Sequence, residues 1–523
     1  AKAVAREAAA NFVATHIKSL LYRLEPAYPN LEYLVLVGDD RVIPYRRLVD
    51  ETLLANERRY AALASTPALS ESLALRYMLS DDYYGGLLPL PYHGRELYLP
   101  QLATGRLVES PAAIAGAIDS FLVRPVVAPT DALVTGYDFL LDQAGAITET
   151  LAGQGIVTQT TLIDNDWTAQ VFSDTLFSRA ESYGLLSLNS HFQHHRFFPN
   201  DLNDIFAQQI TGTTDYGGVL AFSVGCHSGL NVPDAGVPAS IAEDWAQAFL
   251  RQGATYVGNT GYGYGDSDLI AYSERIMVNF VEELGYEGAG PPTVGQALMR
   301  AKQRYLNTIA AGGLGWYDEK AMAEMTLYGL PMLQIRVPNP TTTPPGGDSV
   351  ATIVSPTAPA HRAPGAWEPG VVTTSLALSF DYGPRMIDTP ALSGTYYAVT
   401  GTLPGTYDLH IAGARPIEPR ASYDVHLADT DAHGVLMVGG TFTEVVDVDP
   451  AISRVVTDDL YAATETRYPT GELYPAHVAA INRFLVLDGQ SRERLVVVPG
   501  QFRATSAATP TVGVQRLYTG LDL

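Results

Sequence analysis

One thiol and one imidazole stand out for where they fall. Leu185-Leu186-Ser187-Leu188 runs into Asn189-Ser190-His191, and Gly218-Val219-Leu220-Ala221-Phe222-Ser223-Val224 runs into Gly225-Cys226. Short apolar runs bounded by turn residues read as buried strands. In an open α/β sheet the active site lies beyond the carboxyl ends of such strands. The two runs therefore predict His191 and Cys226 side by side. Cys226 is the only cysteine in 523 residues, so it has no disulfide partner within the chain. A thiol beside an imidazole is a nucleophile with its base. A lone thiol more often reads as a small buried apolar side chain, but a strand end after glycine, opposite a strand ending in histidine, favours the chemical reading. At an ordinary pKa of ~8.5 the thiol is mostly protonated at neutral pH. His191 is then the general base that takes the proton. His194, His195 and His227 are the rivals. His194 and His195 read as a surface loop before they read as metal ligands or cleft-flanking groups. His227 directly follows the nucleophile and is expected to point away from it.

The surrounding pattern supplies elements to hold such a pair. Residues 3 to 24 carry apolar side chains at helical spacing, stopped by Pro26 and Pro29. A strand follows at Tyr33 to Val37. Asp39-Asp40 after Gly38 reads as a turn with solvated carboxylates rather than as metal ligands. Residues 80 to 95, rich in Tyr and Gly, read as a loop, and Pro111 to Leu122 as a helix closing a first unit. A second unit starts near Asp131. Strand-like runs at Ala132 to Thr135, Ile156 to Leu162 and Thr255 to Gly258 join the two that carry His191 and Cys226. Helices are expected at Ala144 to Leu151, Ala169 to Tyr183, Pro238 to Arg251, Tyr272 to Leu284 and Val294 to Leu306. Such alternation predicts a mostly parallel sheet covered on both faces. Pro338 to Gly347 is a Pro/Thr/Gly-rich linker. Beyond it, β-rich runs at Val371 to Phe380, Gly394 to Gly401, Tyr407 to Ile411, Phe484 to Leu487, Leu495 to Val498 and Thr511 to Leu517 predict a β-sandwich of ~170 residues. The expected divisions are 1–130, 131–337, a linker at 338–349, and 350–523.

Composition narrows the partners. With 46% apolar and 17% charged residues the chain has the material for a full core. A formal charge of −23 argues against nucleic acid, whose affinity rests on Lys and Arg neutralising phosphate. No run of ~18 apolar residues predicts a membrane span. The chain opens Ala1-Lys2-Ala3, which reads as a processed or trimmed form that has lost any export signal. One cysteine does not decide a redox compartment.

Taken together, the motifs resemble the gingipain-like cysteine peptidases, which share the caspase-like fold. In that family the first catalytic strand ends in His-Gly and the second in a small residue before Cys. Three further stretches carry the likeness: Leu34-Val35-Leu36-Val37-Gly38-Asp39-Asp40; Ser80-Asp81-Asp82-Tyr83-Tyr84-Gly85 with Leu99 to Leu107; and Leu327-Tyr328-Gly329-Leu330-Pro331-Met332-Leu333, similar to the family's closing Tyr-Gly-Asp-Pro. Two positions depart from the pattern: Phe192 stands where the family has glycine, and Leu330 where it has aspartate. The resemblance implies a caspase-like, parallel-rich α/β sheet sandwiched by helices in two subdomains, followed by an immunoglobulin-like β-sandwich. It implies a cysteine endopeptidase with a Cys226–His191 dyad, acting on polypeptides after a basic residue, Arg before Lys. The family's acidic pocket falls between the second unit's first strand and its helix, where Asp138 and Asp142 lie; Asp142 fits the family's spacing to the histidine better. Asp266 and Tyr264, in a glycine-rich loop, are further pocket candidates. The chemistry requires no cofactor. Structural calcium is common in the family, and Asp81-Asp82 or Asp429 with Asp431 offer oxygens, but no metal site is specified. The resemblance also implies a secreted or cell-surface protein, a cytoplasmic one remaining open, and leaves the oligomeric state undetermined. The alternatives are an inactive caspase-like scaffold that binds peptides, to which Phe192 points, or a surface adhesion module built on the β domain.

Overall fold

The apolar runs of the first 340 or so residues become the strands of one sheet. In chain order these are β1 (Tyr33–Val37), β2 (Ala103–Leu107), β3 (Asp131–Gly136), β4 (Thr158–Ile163), β5 (Leu185–Ser187), β6 (Leu220–Phe222), β7 (Thr255–Asn259) and β8 (Met325–Tyr328). They lie in the order β1-β2-β8-β7-β6-β5-β3-β4. Every neighbouring pair is parallel except β7 with β8. Strands β3 to β7 therefore all point one way, and their carboxyl ends share one edge. Strands from both sides of residue 130 join this sheet. All residues of β5 and β6 are buried, the near-continuous apolar pattern of parallel strands covered on both faces. The computed structural model describes residues 2–199, 203–233, 243–288, 290–310, 313–345, 350–351, 375–389, 393–401, 409–425, 431–432, 434–457, 471–486, 491–505 and 512–523.

Helices flank the sheet, and their ends are set locally. Pro111–Val123 starts on Ser110, whose side chain accepts from the Ala113 N–H, with proline at the first helical position. Trp245–Arg251 starts on Asp244, which accepts from the Gln247 N–H at 2.9 Å while Gln247 accepts from the Asp244 N–H at 3.3 Å. The expected start of that helix, before residue 243, lies outside the described residues. The helix expected through Tyr183 stops at Leu176. Residues 180 to 182 are instead bonded to Asp215, through Ser182 N–H to the Asp215 carbonyl and Asp215 N–H to the Ala180 carbonyl. Leu133, Phe172, Leu186, Phe192, Phe197, Ala221, Trp245 and Phe249 belong to one buried cluster between sheet and helices.

Two readings need correcting. Residues 80–95 are not a plain loop: they hold a helical turn, Asp82–Gly85, and a hairpin of Leu90–Tyr92 with Arg95–Leu97. Asp39 and Asp40 are buried rather than solvated. Arg41 binds Asp39, and Arg47 grips Asp40 with two hydrogen bonds of 2.5 and 2.6 Å. Their neighbours in the resemblance are paired likewise. Arg106 donates to Asp81 at 2.5 and 2.8 Å, and Lys302 to Asp82 at 2.7 and 2.8 Å. Buried carboxylates of this kind persist because a cation and several donors meet them.

The chain divides into two units. The first comprises Ala1–Tyr305, Trp316–Pro345 and Val455–Ala463; the second comprises Leu306–Gly315, Gly346–Arg454 and Thr464–Leu523. In the second, strand Gly513–Asp522 pairs antiparallel with Ala377–Ser379, Gly439–Val448 and Gly500–Ala504. A four-stranded sheet runs Val350–Ala351, Ala421–Val425, Ser491–Val497, Ala479–Leu485. Phe380, Val399, Leu495, Val497, Tyr518 and Leu521 form its core. Residues 371 to 374 of the first β-rich run lie outside the described residues.

Candidate active site

Strands β5 and β6 are paired Leu185 to Leu220, Leu186 to Ala221 and Ser187 to Phe222. The Leu188 N–H continues the ladder to the Phe222 carbonyl at 2.9 Å. His191 and Cys226 each lie four residues beyond the last of these pairs, on the same edge. Their chain neighbours touch. A Cβ added to Gly225 would stand 2.4 Å from a ring carbon of Phe192, so glycine before Cys226 makes room for phenylalanine after His191. The Phe192 ring stacks on Phe197 at 4.6 Å and meets Trp245 at 5.6 Å. Core burial accounts for the aromatic residue at this position.

The histidine loop is tied at several points. Asn189 donates from its side chain to the Thr135 carbonyl at 3.0 Å and to Ser187 Oγ at 2.8 Å, and its N–H reaches Thr135 Oγ1 at 2.8 Å. Ser190 Oγ donates to the Phe198 carbonyl at 2.7 Å. His191 then starts a short hairpin, paired opposite Phe198. Its Nε2 lies 3.4 Å from Asp138 Oδ2, and its ring meets that of Tyr137 edge-on at 5.2 Å. Asp138 follows β3, the strand beside β5, with φ of +56°. Asp138, expected only as a pocket acid, thus stands beside His191, as the first carboxylate past the end of the strand that neighbours β5.

The cysteine loop is held from behind. Cys226 is 2% exposed, with Sγ 3.6 Å from the Gly263 carbonyl and 3.5 Å from Thr457 Oγ1. Asn259 Nδ2 donates to the Val224 carbonyl at 2.8 Å, and the His227 N–H donates to the Gly261 carbonyl at 2.7 Å. The Tyr328 hydroxyl bonds the Gly229 carbonyl and meets the Tyr45 hydroxyl at 2.6 Å. Leu330, in the position where the resemblance has aspartate, packs on the large apolar cluster.

His227 turns into the interior. Its ring stacks on Tyr60 at 3.3 Å and its Nε2 lies 2.8 Å from Glu57 Oε2. Lys320 Nζ lies 2.7 Å from Glu57 and 3.0 Å from Asp50. Burial pushes the Glu57 carboxyl up, but Lys320 and His227 outweigh it and hold it down at about 2. His194 and His195 are buried, not on a surface loop. His194 Nδ1 lies 2.7 Å from the Tyr60 hydroxyl, and burial, helped by His195 and His227, drives its pKa well below the usual value.

Of the pocket candidates, Asp142 and Asp266 both lie near Glu274, whose carboxyl burial and then their charges push up. Asp142 sits in the first turn of helix Leu141–Gly153 and accepts from the Gln143 N–H at 2.7 Å. Burial pushes its carboxyl up to about 6, with Arg275 opposing and Asp268 adding. Asp266 is fully buried, and its N–H donates to Glu274 at 3.2 Å. Burial first, and the charge of Asp142 next, push Glu274 well above the carboxylate range. Tyr264 is buried, its hydroxyl 2.9 Å from the carbonyl oxygens of both Leu54 and Ala55.

Among the described residues no group of three or more His, Cys, Asp or Glu is placed to hold a metal ion. Asp81 and Asp82 face Arg106 and Lys302, and Asp431 lies 3.4 Å from Arg483; Asp429 lies outside the described residues. Among those residues, too, no helix is long and apolar enough to cross a membrane.

The architecture is thus a mixed α/β one, with a parallel-rich sheet: His191 and Asp138 meet beyond the ends of two of its strands, and Cys226 follows a third. No protein-family profile matches the chain, and no curated protein does. Among solved structures, it is similar to the complex of Porphyromonas gingivalis RgpB pro- and mature domains, at 16% identity and a TM-score of 0.21, over 28% of this chain and 75% of that one. At that score the likeness fixes neither fold nor activity.

Proposed function

We propose that this protein is a cysteine endopeptidase of the gingipain-like type, with a caspase-like catalytic unit and an immunoglobulin-like unit after it. The observation that supports the reading is the register of β5 and β6, with His191 and Cys226 each four residues past the last pair. His191 is the base. With its Nε2 turned to Asp138, Nδ1 takes the thiol proton, and Asp138 orients the ring and stabilises the imidazolium. Cys226 Sγ attacks the peptide carbonyl, His191 returns the proton to the leaving amine, and water releases the acyl group from the thioester. The chemistry needs no cofactor. The inactive-scaffold alternative drew on Phe192, but glycine at 225 gives that ring its space.

Specificity is assigned to the carboxylates near Glu274. Asp142, with Asp266 as runner-up, receives the basic side chain before the scissile bond. A planar guanidinium meets two carboxylate oxygens where an ammonium does not, which ranks Arg above Lys. The test is labelling by a peptidyl chloromethylketone carrying Arg. An adduct on Cys226 that is lost in His191→Ala but kept in His194→Ala supports the dyad. The reverse pattern places the base at His194.

A further inference from the structure

A strand from far along the chain lies at the edge of this site. Val455–Val456 pairs antiparallel with Gly265–Asp266, Val456 opposite Gly265 and Val455 opposite Asp266. The next residue, Thr457, has its Oγ1 3.5 Å from Cys226 Sγ. Residues 455–457 belong to the first unit although the chain before them belongs to the second. The receiving edge is shaped for such a strand. A Cβ at Gly265 would stand 2.5 Å from the Glu274 carboxyl, so only glycine leaves that acid in place behind the ladder. Two consecutive valines favour the extended backbone that the pairing requires.

An extended segment added to a sheet edge is a general mode of peptide recognition; here the chain itself supplies the segment. We propose that residues 455–457 are an intramolecular pseudosubstrate, which occupies the peptide-binding edge Gly265–Asp266 and covers Cys226 until a peptide displaces it. Its functional consequence, though not its presence, rests on the peptidase reading of Cys226. Thr457, directly after the strand, lies against the thiol, so Thr457 takes the place of the residue before the scissile bond. Its short uncharged side chain cannot pair with Asp142 or Asp266, which makes the segment a poor substrate that stays in place. A ladder of two residue pairs opens by local fluctuation far below global unfolding, so a peptide with a basic side chain and more pairs can replace it.

Cys226 is the only thiol in the chain, so its alkylation by iodoacetamide reads the cover whether or not the thiol is catalytic. In the full chain, Val455→Asp with Val456→Asp sets two carboxylates against buried Asp266 and Glu274. This variant is expected to alkylate about tenfold faster than the wild type, as loss of two cross-strand pairs would give, with its thermal midpoint retained. Val455→Gly with Val456→Gly weakens the ladder without charge and is expected to show a smaller increase; it decides the matter if the aspartate pair unfolds. Hydrolysis of an Arg peptide should rise in parallel. Faster alkylation without hydrolysis upholds the cover and sinks the peptidase reading. Unchanged alkylation in folded double variants overturns the cover.

Discussion

Asp138 and Asp142 stand four residues apart and are assigned different work. Asp138 meets the His191 ring at 3.4 Å from a half-exposed position, so its charge acts on the imidazolium that forms during the reaction. Asp138→Asn should lower kcat by ~10²–10⁴-fold, the scale of general-base catalysis, with KM little changed; steady-state kinetics on an Arg peptide checks it, and an unaltered kcat would remove Asp138 from the mechanism. Asp142 acts on binding. Its carboxyl is held near 6 by burial, so it is neutral below that pH and charged above it. The preference for Arg over a neutral residue before the bond should therefore climb as pH rises through about 6. Asp142→Asn should flatten that climb and cost about 10²-fold in kcat/KM for Arg peptides, the scale of a desolvated charge losing its partner. A pH-independent preference, or one for Asp or Leu, would move the pocket elsewhere.

At the scale of elements, two couplings hold the strand ends. Gly225→Ala drives a methyl group into the Phe192 ring and should destabilise by ~1–3 kcal/mol, as overpacking does. Phe192→Ala alone leaves a cavity. The double variant should recover part of both losses, read as a coupling of ~0.5–3 kcal/mol in a denaturation cycle; strict additivity would mean the loops do not press on each other. The second coupling ties the turn after Cys226 to Glu57 and Lys320. Glu57 titrates at about 2 in the fold against 4.5 ordinarily, so its stabilisation is complete above about 4.5 and is lost as pH falls toward about 2. Glu57→Gln should lower stability by ~3–5 kcal/mol at neutral pH, as breaking a buried pair does, and should lack that acid limb in thermal unfolding. The apolar runs ending in His191 and Cys226 were legible because a buried parallel strand writes itself as a continuous run. The place of Asp138 was not, because which strand lies beside β5 is decided by crossovers rather than by local pattern. The hairpin of Leu90–Tyr92 with Arg95–Leu97 escaped for a related reason: its strands are three residues long, and Pro91 and the charged Arg95 and Glu96 hide them.

At the scale of the whole molecule, the chain returns to its first unit after a long excursion. Val455–Val456 was invisible in the sequence reading, since a two-residue pairing with Gly265–Asp266 carries no periodicity and depends on contacts far apart along the chain. Buried ion pairs were equally hidden: a formal charge of −23 suggests solvated carboxylates, yet Asp40, Asp81 and Asp82 each meet a buried cation. Cleavage within residues 338–349, a Pro/Gly-rich stretch of the kind proteases prefer, is expected to yield a stable fragment of residues 350–523. That fragment carries Val455 to Thr457 with it, so the remaining 1–337 fragment should alkylate at Cys226 faster than the intact chain; a digest giving no such fragment counts against the boundary. Cys226 acts here as a nucleophile, and turnover is the measurement that decides it. Hydrolysis of matched fluorogenic peptides by the full chain, compared with Cys226→Ala, should show activity on the Arg peptide that vanishes in the variant while its unfolding midpoint stays near that of the wild type. Equal hydrolysis by the wild type and Cys226→Ala would contradict the account.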